Sequence, residues 1–390
     1  MSDPDTNHGG RMRGEYRYTE EFLKHAGAFA LDPFHLPLEA TPLRAEDPTT
    51  GIHAVFEDSL PDAWGRAIMC RRYNLPRNKQ RAAYLLELLG PDAMGALAYT
   101  TTPEYPENNV EAKPPDLSDL AAAVARFELE PDAPMDELMR LFQAGSSPGG
   151  ARPKVLINND GKQWLVKLPS IKDTLDIVRI EAATMATARK AGIEVPEFEV
   201  LDLGSRSALL VKRFDVTEQG GRNHVVSMKT LLGATNYYYF GYADMADVVR
   251  RLSDLPGKDL KGLYKQCVFN ALIGNTDDHL KNFAMMRSEQ GWHLTQAFDL
   301  LPDVNNNREH VLHFGAAGTT PSIDALPPLG KLFGLSKNAT QSIIDEVRSA
   351  IKEFPIQCKA FAVPTQNAEV IISRIGILKG KWQAPALTDD

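Results

Sequence analysis

Between Cys267 and Asn282 the chain reads CVFNALIGNTDDHLKN, an apolar run followed by two carboxylates, an imidazole, a lysine and a carboxamide. Val268, Phe269, Ala271, Leu272 and Ile273 are too apolar for a solvated helix face, and Gly274-Asn275 breaks the helix just before the polar residues. A polar loop at the mouth of a rigid apolar element is a common way to build an active site. Asp277 is followed five residues later by Asn282, and seventeen residues further on Asp299 sits among apolar neighbours in AFDLLPD. Such a set suits phosphoryl transfer, in which one carboxylate orients a hydroxyl while an amide and a second carboxylate hold Mg²⁺. The alternative at this point is a capped loop with solvated acids.

A phosphate donor has to be held against that loop, and residues 144–167, AGSSPGGARPKVLINNDGKQWLVK, have the composition for it. Small residues with Gly149 and Gly150 precede a strand expected over 154–157, an Asn-Asn-Asp-Gly turn and a second strand over 164–168. A flexible glycine loop leading into a hairpin can lay backbone N–H groups over phosphates, although it can equally be a plain loop. There is no G-x-x-x-x-G-K-[ST], which speaks against a P-loop NTPase. Lys167 lies on the second strand between Val166 and Leu168 and is a candidate α/β-phosphate ligand. The helix expected over 177–191, ended by Gly192, carries Glu181 on or beside an apolar face, where an unpaired carboxylate is costly. A Lys167–Glu181 ion pair would remove that cost, whereas a partly exposed glutamate would not need one. Strands expected over 195–201 and 208–214 complete a small antiparallel sheet with one helix. Residues 211–215, VKRFD, close it at Phe214 and lead into a helical lobe, a boundary at which adenine docks against backbone.

The totals limit the alternatives. A net charge of -8 argues against a protein that mainly coats nucleic acid, and 43% hydrophobic with 24% charged residues is ordinary for a soluble globular chain. Cys70, Cys267 and Cys358 are scattered, with no disulfide framework and no cysteine zinc site, which fits a reducing cytoplasm. No stretch approaches a membrane span, and the polar start is unlike a signal peptide. Residues 16–93 read as mainly helical, with Ser59 as a cap, Pro61 in a first turn and a second helix over 79–89. Residues 101–118 read as a proline-rich loop, followed by helices over 117–127 and 135–143; residues 331–374 read as amphipathic helices. His293, His310 and His313 with Asp299 or Asp303 suggest a metal site on paper. The absence of HExxH and the strand-like VLHFG pattern argue against it.

The blocks SSPGGARPK, LVKLP, AGIEVP, VKRFD, FNALIGNTDDHLKNFAM and FDLLP, in this order, resemble the HipA-type serine/threonine kinases, toxins of bacterial toxin–antitoxin pairs. The resemblance implies Asp277 as catalytic base, Asn282 and Asp299 as Mg²⁺ ligands, and Lys167 and Lys154 as ATP lysines. It also implies His279 as a hydrogen-bonding residue of the D-x-H-x-x-N loop and Ser147 as an autophosphorylation site, unless Ser146 and Ser147 are simply loop residues. Asp278 stands where many members carry glycine; Asp277 is preferred because it alone gives the five-residue step to Asn282. The family's short amino-terminal sheet is not found before Tyr16, so the chain is either short there or completed by a small partner subunit.

The expectation is therefore an α+β, protein-kinase-like two-lobed fold. Its parts are a mainly helical amino-terminal region over 1–143, a small antiparallel nucleotide-binding lobe over 144–215 and a helical catalytic lobe over 216–390. The implied cofactors are ATP and Mg²⁺. The implied partners are a helix-turn-helix antitoxin, operator DNA mainly through that antitoxin, and a protein substrate of the aminoacyl-tRNA synthetase class. Two other functions remain open on sequence: a catalytically silent kinase-like scaffold or corepressor, and a small-molecule or lipid kinase.

Overall fold

The structure, a computed structural model, describes residues 13–45, 50–90, 93–102, 116–130, 152–159, 161–235 and 239–376. Ser147, Gly149, Gly150 and the helix expected over 135–143 lie outside these residues. Near the start, β1 (Glu15–Tyr16) pairs antiparallel with β2 (Leu43–Arg44). Helices α1 (Ala63–Arg72), α2 (Ala82–Leu89) and α3 (Leu117–Leu129) follow. Asp116 caps α3 by accepting from the N–H groups of Ser118 and Asp119.

The small lobe is a four-stranded antiparallel sheet in the order β3 (Lys154–Asn159), β4 (Lys162–Lys167), β6 (Arg206–Lys212), β5 (Phe198–Leu203). Alternation along the strands gives the sheet two apolar faces. Val155, Ile157, Trp164, Val166, Ala208 and Leu210 share a core with Leu120, Val124 and Phe127 of α3 and with Trp64 and Ile68 of α1. Leu209 and Val211 instead join the core that contains Ile180, Ala183, Met185 and Ala188 of α4 (Ile177–Lys190). The sheet is thus filled from both sides, by α4 and by helices of the amino-terminal region.

The large lobe is built on α5 (Tyr242–Leu252) and α6 (Pro256–Ile273), then α7 (Lys337–Lys352), α8 (Phe354–Ala360) and α9 (Thr365–Arg374). Proline opens α6, where a missing N–H costs nothing, and Gly274 closes it in the left-handed conformation with φ 78°. Leu263, Tyr264, Cys267, Val268 and Phe269 on α6 are fully buried. Their core continues without a break into Tyr18, Leu31, Leu36, Phe56, Leu85 and Leu86 near the amino terminus. Among the described residues no helix is long and apolar enough to cross a membrane.

Four readings of the sequence change. Residues 16–93 are not mainly helical, since described residues 25–45 contain no helix and include β2. Helix α1 starts after Asp62, and Ser59 does not cap it; the Ser59 hydroxyl accepts instead from the Tyr99 hydroxyl at 2.7 Å. The VLHFG segment is no strand: a single parallel bridge joins His313 to Gly241, because the Val311 and Leu312 N–H groups go to the Asp278 carboxylate. A third sheet, β7 (His224–Ser227), β8 (Ala284–Ser288) and β9 (Gly291–Leu294), has no counterpart in the sequence reading.

On β7, His224 holds the amino-terminal segment to the large lobe. Its Nε2–H donates to the Leu31 carbonyl at 2.8 Å, and its ring lies between Phe29 and Trp292. Burial pulls its pKa down to about 4, against the favourable contact with Leu31. Folding therefore requires the neutral ring, so this contribution is complete above the unfolded value near 6.5 and is lost as pH falls towards 4. Denaturant unfolding is expected to show a loss of about 2 kcal/mol between pH 7.5 and pH 5 from this residue. His224→Gln should remove that part of the slope; an unchanged slope in the variant contradicts the assignment.

Candidate active site

A cleft of about 550 Å³ opens between the small sheet, the loop after α6 and the amino-terminal region. One end is apolar, lined by Leu165, Met185, Val211, Phe214 and Phe298, with the rings of Phe214 and Phe298 stacked at 5.7 Å. The other end collects Lys154, Lys167, Glu181, Asp277, His279, Asn282 and Asp299. Every expected site residue that lies among the described residues therefore lines one cavity.

Sheet register creates the cationic side. The β3–β4 ladder places Lys154 directly opposite Lys167, and both side chains are buried. Like charges facing each other on one sheet are unfavourable unless acids intervene. Lys167 meets two acids: Glu181 from α4, by a short ion pair, and Asp299 from the large lobe, at 2.6 Å. Burial alone would lower the Lys167 pKa, but Asp299 and Glu181 overcome it and hold the ammonium above its ordinary value. Glu181 is pushed upward by burial, with Asp299 adding to this against the pull of Lys167. Burial would raise Asp299 too, but Lys154 and Lys167 hold it well below the usual carboxylate range. Lys154 is pulled down by burial, opposed by Asp299, Glu181 and Asp62. Asp299 itself has φ 56°, a left-handed backbone that costs a non-glycine residue about 1 kcal/mol or more. The surrounding ion pairs hold it there.

The two adjacent aspartates have separate environments. Asp278 is fully buried and accepts from the Tyr242 hydroxyl at 2.8 Å, His310 Nδ1 at 3.0 Å and the Val311 and Leu312 N–H groups. Asn270 on α6 in turn donates to the Tyr242 hydroxyl at 2.9 Å. Gly241 permits this packing, since a Cβ there would come within 2.4 Å of the His313 carbonyl oxygen. His310 is thus a partner of the buried Asp278 carboxylate. Asp277, by contrast, has a side chain that is 81% exposed and faces the cleft. Displacement of its water by the surrounding protein still pushes its pKa up; His279 opposes this, and Asp299 and Asp278 add to it. His279 Nε2 lies 3.9 Å from Asp277 Oδ1, beyond hydrogen-bond range.

Asn282 Nδ2 donates to the Asp277 carbonyl at 2.9 Å, which leaves its amide oxygen available to a cation. Together with the ionised Asp299 this is an all-oxygen donor pair, suited to a hard cation such as Mg²⁺ whose remaining positions would be filled by water and phosphate. Among the described residues no group of three His, Cys, Asp or Glu side chains is arranged as a metal site.

The amino-terminal region contributes residues that sequence reasoning missed: Asp58, Ser59, Leu60, Asp62, Ala63 and Met94 line the same cleft. It also fastens the connection between lobes. Arg213 chelates Asp215 at 2.6 and 3.0 Å and donates to the Ala93 carbonyl at 2.9 Å, while the Gly95 N–H donates to Asp215 at 2.6 Å. No local pattern announces the contacts to Ala93 and Gly95, because each joins residues 120 apart. The separate roles of the paired acids are testable by denaturant unfolding. Asp278→Ala, which leaves buried donors unsatisfied, should cost about 3 kcal/mol or more, whereas Asp277→Asn should change stability by less than about 0.5 kcal/mol. Equal losses in the two variants would contradict this division.

Comparison with known proteins follows the same division of the chain. Residues 6–100 match the sequence model of the HipA N-terminal domain and residues 146–354 that of the HipA-like C-terminal domain. The chain is 26% identical over 319 residues to the protein Y4dM of Sinorhizobium fredii, covering 77% of this chain and 74% of that one. It is 24% identical over 297 residues to the serine/threonine-protein kinase toxin HipA of Shewanella oneidensis, covering 68% and 66%. The fold matches that of Shewanella oneidensis HipA in its complex with HipB and operator DNA, with a TM-score of 0.71 at 19% identity over 94% of this chain and 91% of that one. The carboxy-terminal match alone spans more than half of the residues, and the chain belongs to the HipA-like kinase family.

Proposed function

We propose that this protein is an ATP- and Mg²⁺-dependent serine/threonine protein kinase and the toxin of a toxin–antitoxin pair. The observation that carries the reading is the convergence of Lys167, Glu181, Asp277, Asn282 and Asp299 on one cleft that is also lined by Leu165, Val211 and Phe214. Phosphoryl transfer needs little covalent participation from the protein, and this set can position the reactants and neutralise charge.

In this reading the adenine lies against Leu165, Val211 and Phe214, and Lys167, held by Glu181, faces the α- and β-phosphates, with Lys154 beside it. Asn282 and Asp299 would hold Mg²⁺, which would supply neutralisation of charge developing on the phosphates. Lys167 then exchanges its contact with Asp299 for one with phosphate. The Asp277 carboxylate, open to the cleft, orients the acceptor hydroxyl and takes its proton as the hydroxyl oxygen bonds to the γ-phosphorus and the bond to ADP breaks. The glycines Gly149 and Gly150 would cover the phosphates. A phosphate on Ser147 adds nearly two negative charges beside them and would repel ATP.

Partners follow from the family. A helix-turn-helix antitoxin would bind this chain and contact operator DNA for both, and the protein substrate would be a translation component of the aminoacyl-tRNA synthetase class. A small amino-terminal subunit is a further candidate, and the cytoplasm would be the working compartment. Intact mass after incubation with Mg-ATP should show one added phosphate that maps to Ser147. The gain should vanish with a chelator and fall about 10²-fold or more in rate in Asp277→Asn. Nucleotide binding without transfer in the wild type would support a silent scaffold instead.

A further inference from the structure

The region matched by the separate amino-terminal family model reaches the reacting end of the cleft. Asp62 stands at the amino-terminal cap of α1, yet its carboxylate makes no capping hydrogen bond to that helix. It accepts instead from Lys281 Nζ at 2.9 Å, across 219 residues of sequence. Lys281 directly precedes Asn282 on a 3₁₀ turn, Leu280–Asn282, whose Leu280 is fully buried and whose Asn282 ties back to the Asp277 carbonyl. Asp62 and Lys281 both line the cavity with Asp277 and Asp299. The neighbouring Asp58 fixes the floor of the same corner, accepting from the Ser227 N–H at 2.9 Å and the Ser227 hydroxyl at 2.8 Å.

A lysine has four rotatable bonds, and an ammonium that must meet a transferring phosphoryl group gains from having that freedom removed beforehand. An aspartate on a helix end anchored in the core beneath the small sheet is suited to the task, because Trp64 and Ile68 of α1 are packed there. We propose that Asp62 is a positioning residue for phosphoryl transfer: it holds Lys281 over the cleft so that the ammonium faces the transferring group, and it thereby makes the amino-terminal region part of the catalytic machinery. The inference rests on the kinase reading and adds to it a residue from outside the kinase-like lobes.

The test uses the full-length protein as wild type, Asp62→Asn, Asp62→Glu, Lys281→Gln and the Asp62→Asn/Lys281→Gln double variant, with Asp277→Asn as the inactive reference. Three quantities are measured: affinity for Mg-ADP, which requires no transfer; thermal midpoint; and the rate of phosphate transfer at saturating Mg-ATP. Asp62→Asn is expected to transfer about 10- to 100-fold more slowly with Mg-ADP affinity within about threefold of wild type. Asp62→Glu should recover most of the rate. Lys281→Gln should be at least as slow as Asp62→Asn, and the double variant no slower than Lys281→Gln, because the two residues act through one contact. A wild-type rate in Asp62→Asn overturns the proposal. So does a slow Asp62→Asn whose midpoint and Mg-ADP affinity fall in proportion and which Asp62→Glu does not rescue, since that describes a fold contact only. Absence of Asp277-dependent transfer in the wild type itself overturns the kinase reading, and this inference with it.

Discussion

A buried ammonium must be matched by negative charge, and Lys167 is matched from both lobes at once, by Glu181 of α4 and by Asp299 beyond β9. Leaving one member of such a group unpaired in the interior costs several kcal/mol, so the cluster restricts how the lobes can sit. Helix α4 has to present Glu181 under β4, and the chain after β9 has to bring Asp299 up to the sheet. The left-handed backbone of Asp299 is tolerated on the same account. The Lys154–Lys167 pairing across β3 and β4 would be unfavourable in isolation, and it is acceptable because two carboxylates share the space.

Around that cluster the loop after α6 divides one short acidic sequence between two environments. Asp278 turns inward and organises Tyr242, His310 and the 310–312 backbone. Asp277 is thereby turned outward, since consecutive residues of an extended loop point to opposite sides. The exposure of one acid follows from the burial of its neighbour, and His310 and Gly241, distant in sequence, are required for it.

Much of the site was legible because charge on an apolar element stands out. Lys167 between Val166 and Leu168, Glu181 on the inner face of a helix, and Asp299 in AFDLLPD each violate the local pattern, and the structure brings all three together. The four-stranded sheet and α6 with its glycine stop were readable for the same reason: their periodicities are strong and their ends are marked. The failures are equally physical. VLHFG has a strand's alternation, but its N–H groups are taken by Asp278. Ser59 resembles a helix cap, but Tyr99 claims it. Strands β1 and β2 are two residues each and carry no periodicity. The amino-terminal side of the cleft could not be read at all, because Asp58, Asp62 and Met94 gain their meaning from partners far along the chain.

The stretch that joins the small sheet to the large lobe is not a free hinge. Arg213 and Asp215 on either side of Phe214 are tied to Ala93 and Gly95, and Arg222 adds a second donor to the Ala93 carbonyl. Any rocking of one lobe over the other must carry the 93–95 segment along or break these bonds together. Opening of the cleft thus becomes a three-body motion, in which the 93–95 segment, whose Met94 lines the cavity, moves with the two lobes it ties together.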